Sequence, residues 1–301
     1  MELGFIGIGN MGFPMATRLL DAGHQLVVYD KNSEAVEPLT ARQAIAVDSP
    51  KAVADRAEVV FVSLPNNDVS ADVLVGELGV QHGDTVKLLV NTCTTGSPFA
   101  CEMTSQLAAR GIRTVESPIR GGPPGATAGT LSIMVSGAEA DFEMLKPVLE
   151  SLGSTITYCG AAPGLAQVAK LANNILSATA LIASLEALAM GVKGGVDIDV
   201  LLNAINGGSG RNSATQDKIP RDVVTRTFNY GAPMHILMKD IDLALAEGEA
   251  QGVPQMVCQQ VRQMYKLGMH QGWENKDITE MAKLIESWSG CELKSESADK
   301  A

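Results

Sequence analysis

Positive charge is the scarcer sign in this chain: 23 lysines and arginines stand against 34 aspartates and glutamates, a net charge of −11 over 301 residues. Nucleic acid and anionic membranes are gripped by clustered Lys and Arg, so neither is an expected partner; a small molecule is. The five cysteines (Cys93, Cys101, Cys159, Cys258, Cys291) are odd in number and widely spaced, with no C-x-x-C. That pattern excludes a disulfide framework or a zinc site and points to a reducing, cytoplasmic setting. The four histidines, His24, His82, His235 and His270, stand far apart without ligand spacing, and no metal is expected. The opening MELGFIGIG lacks a basic segment and glycines interrupt its apolar run, so a secretory signal is not expected. Long hydrophobic runs are missing too: the most apolar, Ile175 to Leu185, lies between Lys170 and Glu186 and is too short to span a bilayer. It reads as a buried helix. Internal repeats and low-complexity tracts are absent.

What is present is a globular composition, 46% hydrophobic and 19% charged, too apolar for disorder and long enough for two domains. From Leu3 to about Cys159, short β-rich runs (LGFIGIG, QLVVYD, EVVFVSLP, TVKLLVNT, RTVESP, LSIMVSG, STITYCG) alternate with helical segments. Such alternation predicts a parallel sheet with crossover helices. Beyond Gly160 the character changes: a long helix from about Gly164 to Met190 is followed by DIDVLLNAI, PMHILMKDIDLALAEGEAQG, PQMVCQQVRQMYKLGMHQG and KDITEMAKLIESW, all with helix-like spacing. The expected organisation is a Rossmann-type doubly wound α/β domain over 1–162, an all-α domain over 163–290 joined by that long interdomain helix, and a flexible polar tail over 291–301.

Gly7-Ile8-Gly9-Asn10-Met11-Gly12 follows an apolar run and precedes a helical segment, the context in which G-x-G-x-x-G binds a dinucleotide. The first glycine turns the chain, the second lets backbone approach a pyrophosphate, and the third lets the helix pack close to its strand. The phosphates then meet the helix N-terminus, which makes Gly7, Gly9, Asn10, Met11 and Gly12 candidate cofactor residues. Asp30 ends the second strand at the distance where a carboxylate accepts ribose hydroxyls and repels a 2′-phosphate. NAD is therefore the expected cofactor, with NADP left open by the neighbouring Lys31. A glycine turn in an unrelated α/β protein, with Asp30 as a solvated loop acid, is the plainer alternative.

A second feature is the stretch from Lys170 to Leu176, KLANNIL, at the start of an otherwise oily helix. Lys170 and Asn174 are four apart and share a face, while Asn173 lies about 100° round. A lysine and an amide projecting together could address one substrate, or could form an exposed polar stripe. The helix begins where the nucleotide domain is expected to end, and interdomain clefts are common ligand sites.

With these motifs in order, the chain resembles the β-hydroxyacid dehydrogenase family, whose members include 3-hydroxyisobutyrate dehydrogenase and tartronate semialdehyde reductase. The resemblance runs from Gly4 to about Gly290. It rests on GFIGIGNMGFPMA (Gly4 to Ala16), SLPN (Ser63 to Asn66), ESPIRGGPPGATAGTL (Glu116 to Leu131), GLAQVAKLANN (Gly164 to Asn174) and the Lys239-Asp240 pair in LMKDIDLAL. It implies that Lys170 is catalytic and that Asn174 meets the substrate, whose carboxylate is held by Gly121 and Gly122. It also implies that Leu64 and Pro65 border the cofactor, that Thr94 lies beside the nicotinamide, and that Lys239 closes over it. The family's motif serine is Arg120 here, and the second glycine of its catalytic motif is Ala166. Arg120 could reach a second anionic group on the substrate, or turn away to pair with an acid such as Glu116.

The implied activity is hydride transfer between NAD(P) and a small β-hydroxyacid, with Lys170 as general acid and base. A lysine ordinarily titrates near 10.4 and must be lowered by desolvation towards about 7 or 8 to work well. An imine reductase shares the architecture but generally lacks this lysine. A non-catalytic dinucleotide-binding module would not need Lys170, Asn174 and Lys239 together. The apolar second half is expected to pair with another copy, giving a homo-oligomer.

Overall fold

A computed structural model describes residues 1–295. Its contacts divide the chain into two compact units, Met1–Lys170 and a second from Leu171 onward.

The first unit alternates strands and helices: β1 (Glu2–Ile6), α1 (Gly12–Asp21), β2 (Gln25–Tyr29), α2 (Glu37–Thr40), β3 (Ile45–Ala46), α3 (Pro50–Ala54), β4 (Val59–Val62) and α4 (Asn67–Val75). It continues with β5 (Leu88–Asn91), α5 (Ser97–Ala108), β6 (Arg113–Glu116), β7 (Ile119–Arg120), α6 (Gly122–Ala128), β8 (Leu131–Ser136), α7 (Glu139–Glu150) and β9 (Gly153–Gly160). The sheet order is β3-β2-β1-β4-β5-β6-β8-β7, with β9 beside β8. Its first six strands are parallel, in the order of a dinucleotide-binding Rossmann domain.

Side-chain alternation explains the two helical layers. Phe5, Val59, Phe61, Leu88 and Val90 face one core, and Ile6, Val60, Val62 and Leu89 face the other. Strands buried on both sides need no polar alternation, which is why their sequences are nearly continuous apolar runs. Phe5 and Phe61 stack at 6.0 Å between ring centroids across adjacent strands.

The sheet departs from the expected all-parallel arrangement at its far end, where β8 is antiparallel to both β6 and β7. The cause is the connection. β7 and β8 are joined only by the short α6 and its flanking turns, and a parallel crossover needs a dozen residues or more.

Helix α8 (Leu165–Lys193) opens the second half, followed by α9 (Ile198–Asn206), a π-helical stretch Ala214–Val223, α10 (Met234–Ala250), α11 (Met256–His270) and α12 (Met281–Ser289). Among the described residues this half holds no strand of the sheet. Leu171, Ala178, Leu181, Leu185 and Leu188 of α8 enter one core with Ile241, Tyr265 and Met281. The π-helical stretch contains Pro220, whose ring clashes with the carbonyl four residues back and so favours a wider turn. The expectation of an apolar run too short for a bilayer concerned Ile175 to Leu185. The helix that forms has 29 residues and, by length and composition alone, would be sufficient to cross one.

Two boundaries differ from expectation. The division between the units falls after Lys170 rather than after residue 162, because the first turns of α8 are hydrogen-bonded to the first unit. The tail expected to be flexible from residue 291 is packed as far as it is described. Leu293 is fully buried, its N–H reaches Glu286 Oε1 at 2.7 Å, and Ser295 Oγ donates to Asp199 Oδ2 at 2.5 Å. One leucine among polar neighbours suffices to dock the segment. Residues 296–301 of that expected tail lie outside the described residues.

Candidate active site

The three motif glycines are required for three different physical reasons. Gly7 has φ +92°, and a Cβ on it would sit 2.2 Å from the Ser63 carbonyl oxygen. A Cβ on Gly12 would fall 1.8 Å from the Gly7 oxygen, so only glycine lets α1 start against the turn. Gly9 is exposed, and a Cβ there would meet nothing within 4 Å. The protein's own packing does not demand glycine at position 9; a bare backbone there leaves room for the close approach of a ligand. No side chain caps α1 at Met11; the Phe13 N–H is taken by the Gly9 carbonyl at 2.9 Å, so an anion would be met by the helix N-terminus at Met11 and Gly12. These residues fit the pyrophosphate of a dinucleotide. A cleft of about 670 Å³ opens beside Ile8, Gly9 and Asn10 and is lined by Phe13 and Thr17 of α1 and by Glu34.

Asp30 is tied to the same turn. Its Oδ2 accepts the Ile8 N–H at 2.6 Å and its Oδ1 accepts the Asn32 N–H at 2.8 Å, while the side chain stays partly exposed. Leu64 comes to the turn as well: its Cδ2 would be 3.2 Å from a Cβ on Gly7, and its N–H donates to Cys93 Sγ at 3.0 Å. Pro65 follows in an exposed position.

Thr94 is bracketed by a buried polar network centred on Gln167, itself fully buried in the first turn of α8. The Gln167 side chain accepts the Thr95 N–H at 3.0 Å and donates to the Cys93 carbonyl at 3.0 Å and to Glu116 Oε2 at 2.5 Å. Asn91 Nδ2 donates to the same Glu116 oxygen at 3.1 Å. Burial pushes the Glu116 carboxyl up to about 7, against the lowering effect of the hydrogen bonds from Gln167 and Asn91.

Arg120 lies exposed on β7, opposite Ser132. Pairing with Glu116 does not occur: Glu116 is 4% exposed and bound to the two amides. Gly121 and Gly122 follow with φ +130° and +62°, conformations that glycine adopts without strain, and open α6.

Lys170 is 6% exposed. One turn on, Asn174 is held on both sides of its amide, accepting from Asn173 Nδ2 at 3.0 Å and donating to Asp240 Oδ2 at 2.7 Å. Asp240 Oδ1 lies 3.2 Å from Lys239 Nζ but off the direction of a hydrogen bond, and is buried without one. Asn174, Asp240 and Lys239 therefore form one cluster within the second unit. Among the described residues no three His, Cys, Asp or Glu side chains converge on a metal position.

Comparison with known proteins agrees with this geometry. The profile of the NAD binding domain of 6-phosphogluconate dehydrogenase matches residues 2–160, and that of the NAD-binding region of NADP-dependent 3-hydroxyisobutyrate dehydrogenase matches 164–285. The chain belongs to the β-hydroxyacid dehydrogenase family. It is 32% identical to the 2-(hydroxymethyl)glutarate dehydrogenase of Eubacterium barkeri over 96% of each chain. The Mycobacterium tuberculosis 3-hydroxyisobutyrate dehydrogenase solved with L-serine superposes with a TM-score of 0.87 at 27% identity, covering 94% of this chain and 98% of that one. An imine reductase of Bacillus cereus reaches a TM-score of 0.63 at 21% identity, covering 95% and 99%, which shows a shared fold alone.

Gln167, Glu116, Asn91 and Asp240 were not singled out as site residues from sequence. Gln167 carried a signal: it is a polar side chain in an oily helix, three residues before Lys170 and on nearly the same face.

Glu116 yields a stability prediction. An acid whose folded value rises from 4.5 to about 7 binds more protons folded than unfolded, so its contribution falls as pH rises through that window. Glu116→Gln should therefore gain on wild type between pH 5 and pH 8, by up to about 3 kcal/mol. Thermal denaturation at both pH values measures this, and parallel pH profiles would refute it.

Proposed function

We propose that the chain interconverts a small β-hydroxyacid and its semialdehyde with NAD, using Lys170 as general base in oxidation and general acid in reduction. One observation carries the reading: Lys170 is 6% exposed on the helix face that presents Asn174 a turn later, with that amide fixed by Asn173 and Asp240. The bound nicotinamide supplies the hydride acceptor at the hydroxyl-bearing carbon. Lys170 takes the hydroxyl proton at Nζ and returns it in the reverse direction. Asn174 has already used one N–H and one lone pair, which leaves one of each to orient the substrate. The backbone N–H groups of Gly121 and Gly122 hold the substrate carboxylate. Thr94 and Lys239 border the cofactor, as the family resemblance implies. Lys170 speaks against an imine reductase and against a non-catalytic module.

Lys170→Ala should lower kcat by about 10²- to 10⁴-fold while leaving the NAD dissociation constant nearly unchanged. Retained turnover would sink the mechanism.

NAD rather than NADP is proposed from the partly exposed Asp30 carboxylate at the end of β2, which a 2′-phosphate would meet as a like charge. Asp30→Ser should narrow the ratio of kcat/KM for NAD over NADP. A wild type that already favours NADP would show that Asp30 is misassigned.

The substrate is proposed to carry a second anionic or large polar group, read by Arg120. An exposed guanidinium beside Gly121 and Gly122 presents a planar fork of donors, and the Eubacterium barkeri relative is named for a dicarboxylate. Arg120→Ser should raise KM for the best substrate and improve small monoacids. An unchanged substrate profile would leave Arg120 as scaffold.

A homo-oligomer is proposed from the apolar side chains that the second unit leaves in solvent, among them Leu176 and Met190 at 68% and 75% exposure. Light scattering that returns a monomer at micromolar concentration would count against it. A reducing, cytoplasmic location is proposed from five widely spaced cysteines, none of them joined in a disulfide among the described residues; recovery of the native protein from an oxidising compartment would overturn it.

A further inference from the structure

We propose that Gln167 is the positioning residue of the site: its side-chain amide sets where Lys170 stands relative to Thr94, with Glu116 and Asn91 holding that amide in place. The proposal deepens the reading of Lys170 as acid and base and rests on it.

The first turn of α8 is pinned to the first unit at three points. A Cβ on Gly164 would lie 2.7 Å from Ser97 Cβ, so the helix begins in direct contact with the start of α5. The Ala166 N–H donates to the fully buried Ser136 Oγ at 3.1 Å. Gln167 makes the third attachment, and its partners distinguish it. It binds the Cys93 carbonyl and the Thr95 N–H, the main-chain groups on either side of Thr94. Three residues further along α8, a rise of about 4.5 Å, stands Lys170. One side chain thus fixes the distance between the loop assigned to the nicotinamide and the lysine assigned to the proton.

Glu116 is what prevents the Gln167 amide from turning over. An amide is polar at both ends and, with its oxygen taken by Thr95, needs acceptors on its nitrogen side. Glu116 Oε2 and the Cys93 carbonyl supply them. The groups that bond or pair with Glu116 are Asn91 from β5, Gln167 from α8, and Ser136, its cross-strand partner on β8. Directly opposed residues in a sheet share a face, and both Glu116 and Ser136 do bond to α8. Burial raises the Glu116 carboxyl while the bonds from Gln167 and Asn91 oppose that rise, and Oε2 accepts from both amides.

The reactive distance is the sensitive quantity. Misplacement of a catalytic group by about 1 Å can cost roughly 100-fold in rate, without touching the cofactor's phosphate turn. Gln167→Glu sets two acidic side chains against each other. Below the titration of the pair they share a proton and keep contact; above it they repel. The expected result is a kcat reduced by at least about tenfold, a deficit that grows from pH 6 to pH 9, and an unchanged dissociation constant for NAD. The exchange Gln167→Glu with Glu116→Gln restores one donor–acceptor pair between the two positions and should recover most of kcat. Gln167→Met, similar in volume and uncharged, provides the same kcat reading at a single pH should Gln167→Glu not fold. A lowered melting temperature with wild-type kcat and pH profile in either folded variant would overturn the proposal and leave Gln167 a purely structural residue. Lys170→Ala, assayed alongside, separates the two readings. Turnover that survives Lys170→Ala refutes the mechanism, whereas an inactive Lys170→Ala beside fully active Gln167 variants refutes only the positioning role.

Discussion

A helix that carries a polar side chain into a dry core must find hydrogen bonds for it there, and Gln167 finds three. Each is made to a different kind of group: a main-chain donor, a main-chain carbonyl and a carboxyl. Buried polar groups left unpaired cost of the order of 1–3 kcal/mol each, so the network is either complete or expensive. Completeness is what fixes the geometry. Strands β5 and β6 end where Asn91 and Glu116 are needed, the loop after β5 turns so that both main-chain groups flanking Thr94 face inward, and α8 begins one turn before Lys170. The location of the site at the carboxyl ends of parallel strands follows the general rule for open α/β sheets.

Most of the architecture could be read from the chain because its signals are long or chemically particular. The seven runs read as strands are β1, β2, β4, β5, β6, β8 and β9, most of them rich in apolar or β-branched residues. β3 and β7 have two residues apiece and leave no periodicity to detect. Without β7 in view, Arg120 has two open choices of partner, whereas in the fold it pairs on the strand with Ser132 and Glu116 is buried and bound to two amides. The π-helical stretch was missed because Pro220 and a polar composition resemble a loop. The packed Cys291–Ser295 segment was missed because one buried leucine decides it.

The glycine turn, Asp30, Lys170 and Asn174 stand out in the sequence because each has a chemical reason for its residue type at its spacing. Gln167 and Asp240 were not, since their roles are to hold other side chains, and a helper's partner is set by the tertiary fold. Asp240 stands beside Lys239 in sequence, yet its defining contact is with Asn174, 66 positions earlier. No local pattern encodes that meeting.

The three motif glycines answer to different masters, and this bears on how such a chain would drift over generations. Gly7 and Gly12 are restrained by the protein's own carbonyls, so any descendant that still folds must keep them. Gly9 faces open space, and nothing in the protein's own packing restrains it. A lineage that ceased to bind a dinucleotide would first lose the middle glycine while retaining the outer two. The fossil of this activity would be a sound turn with a side chain at its centre.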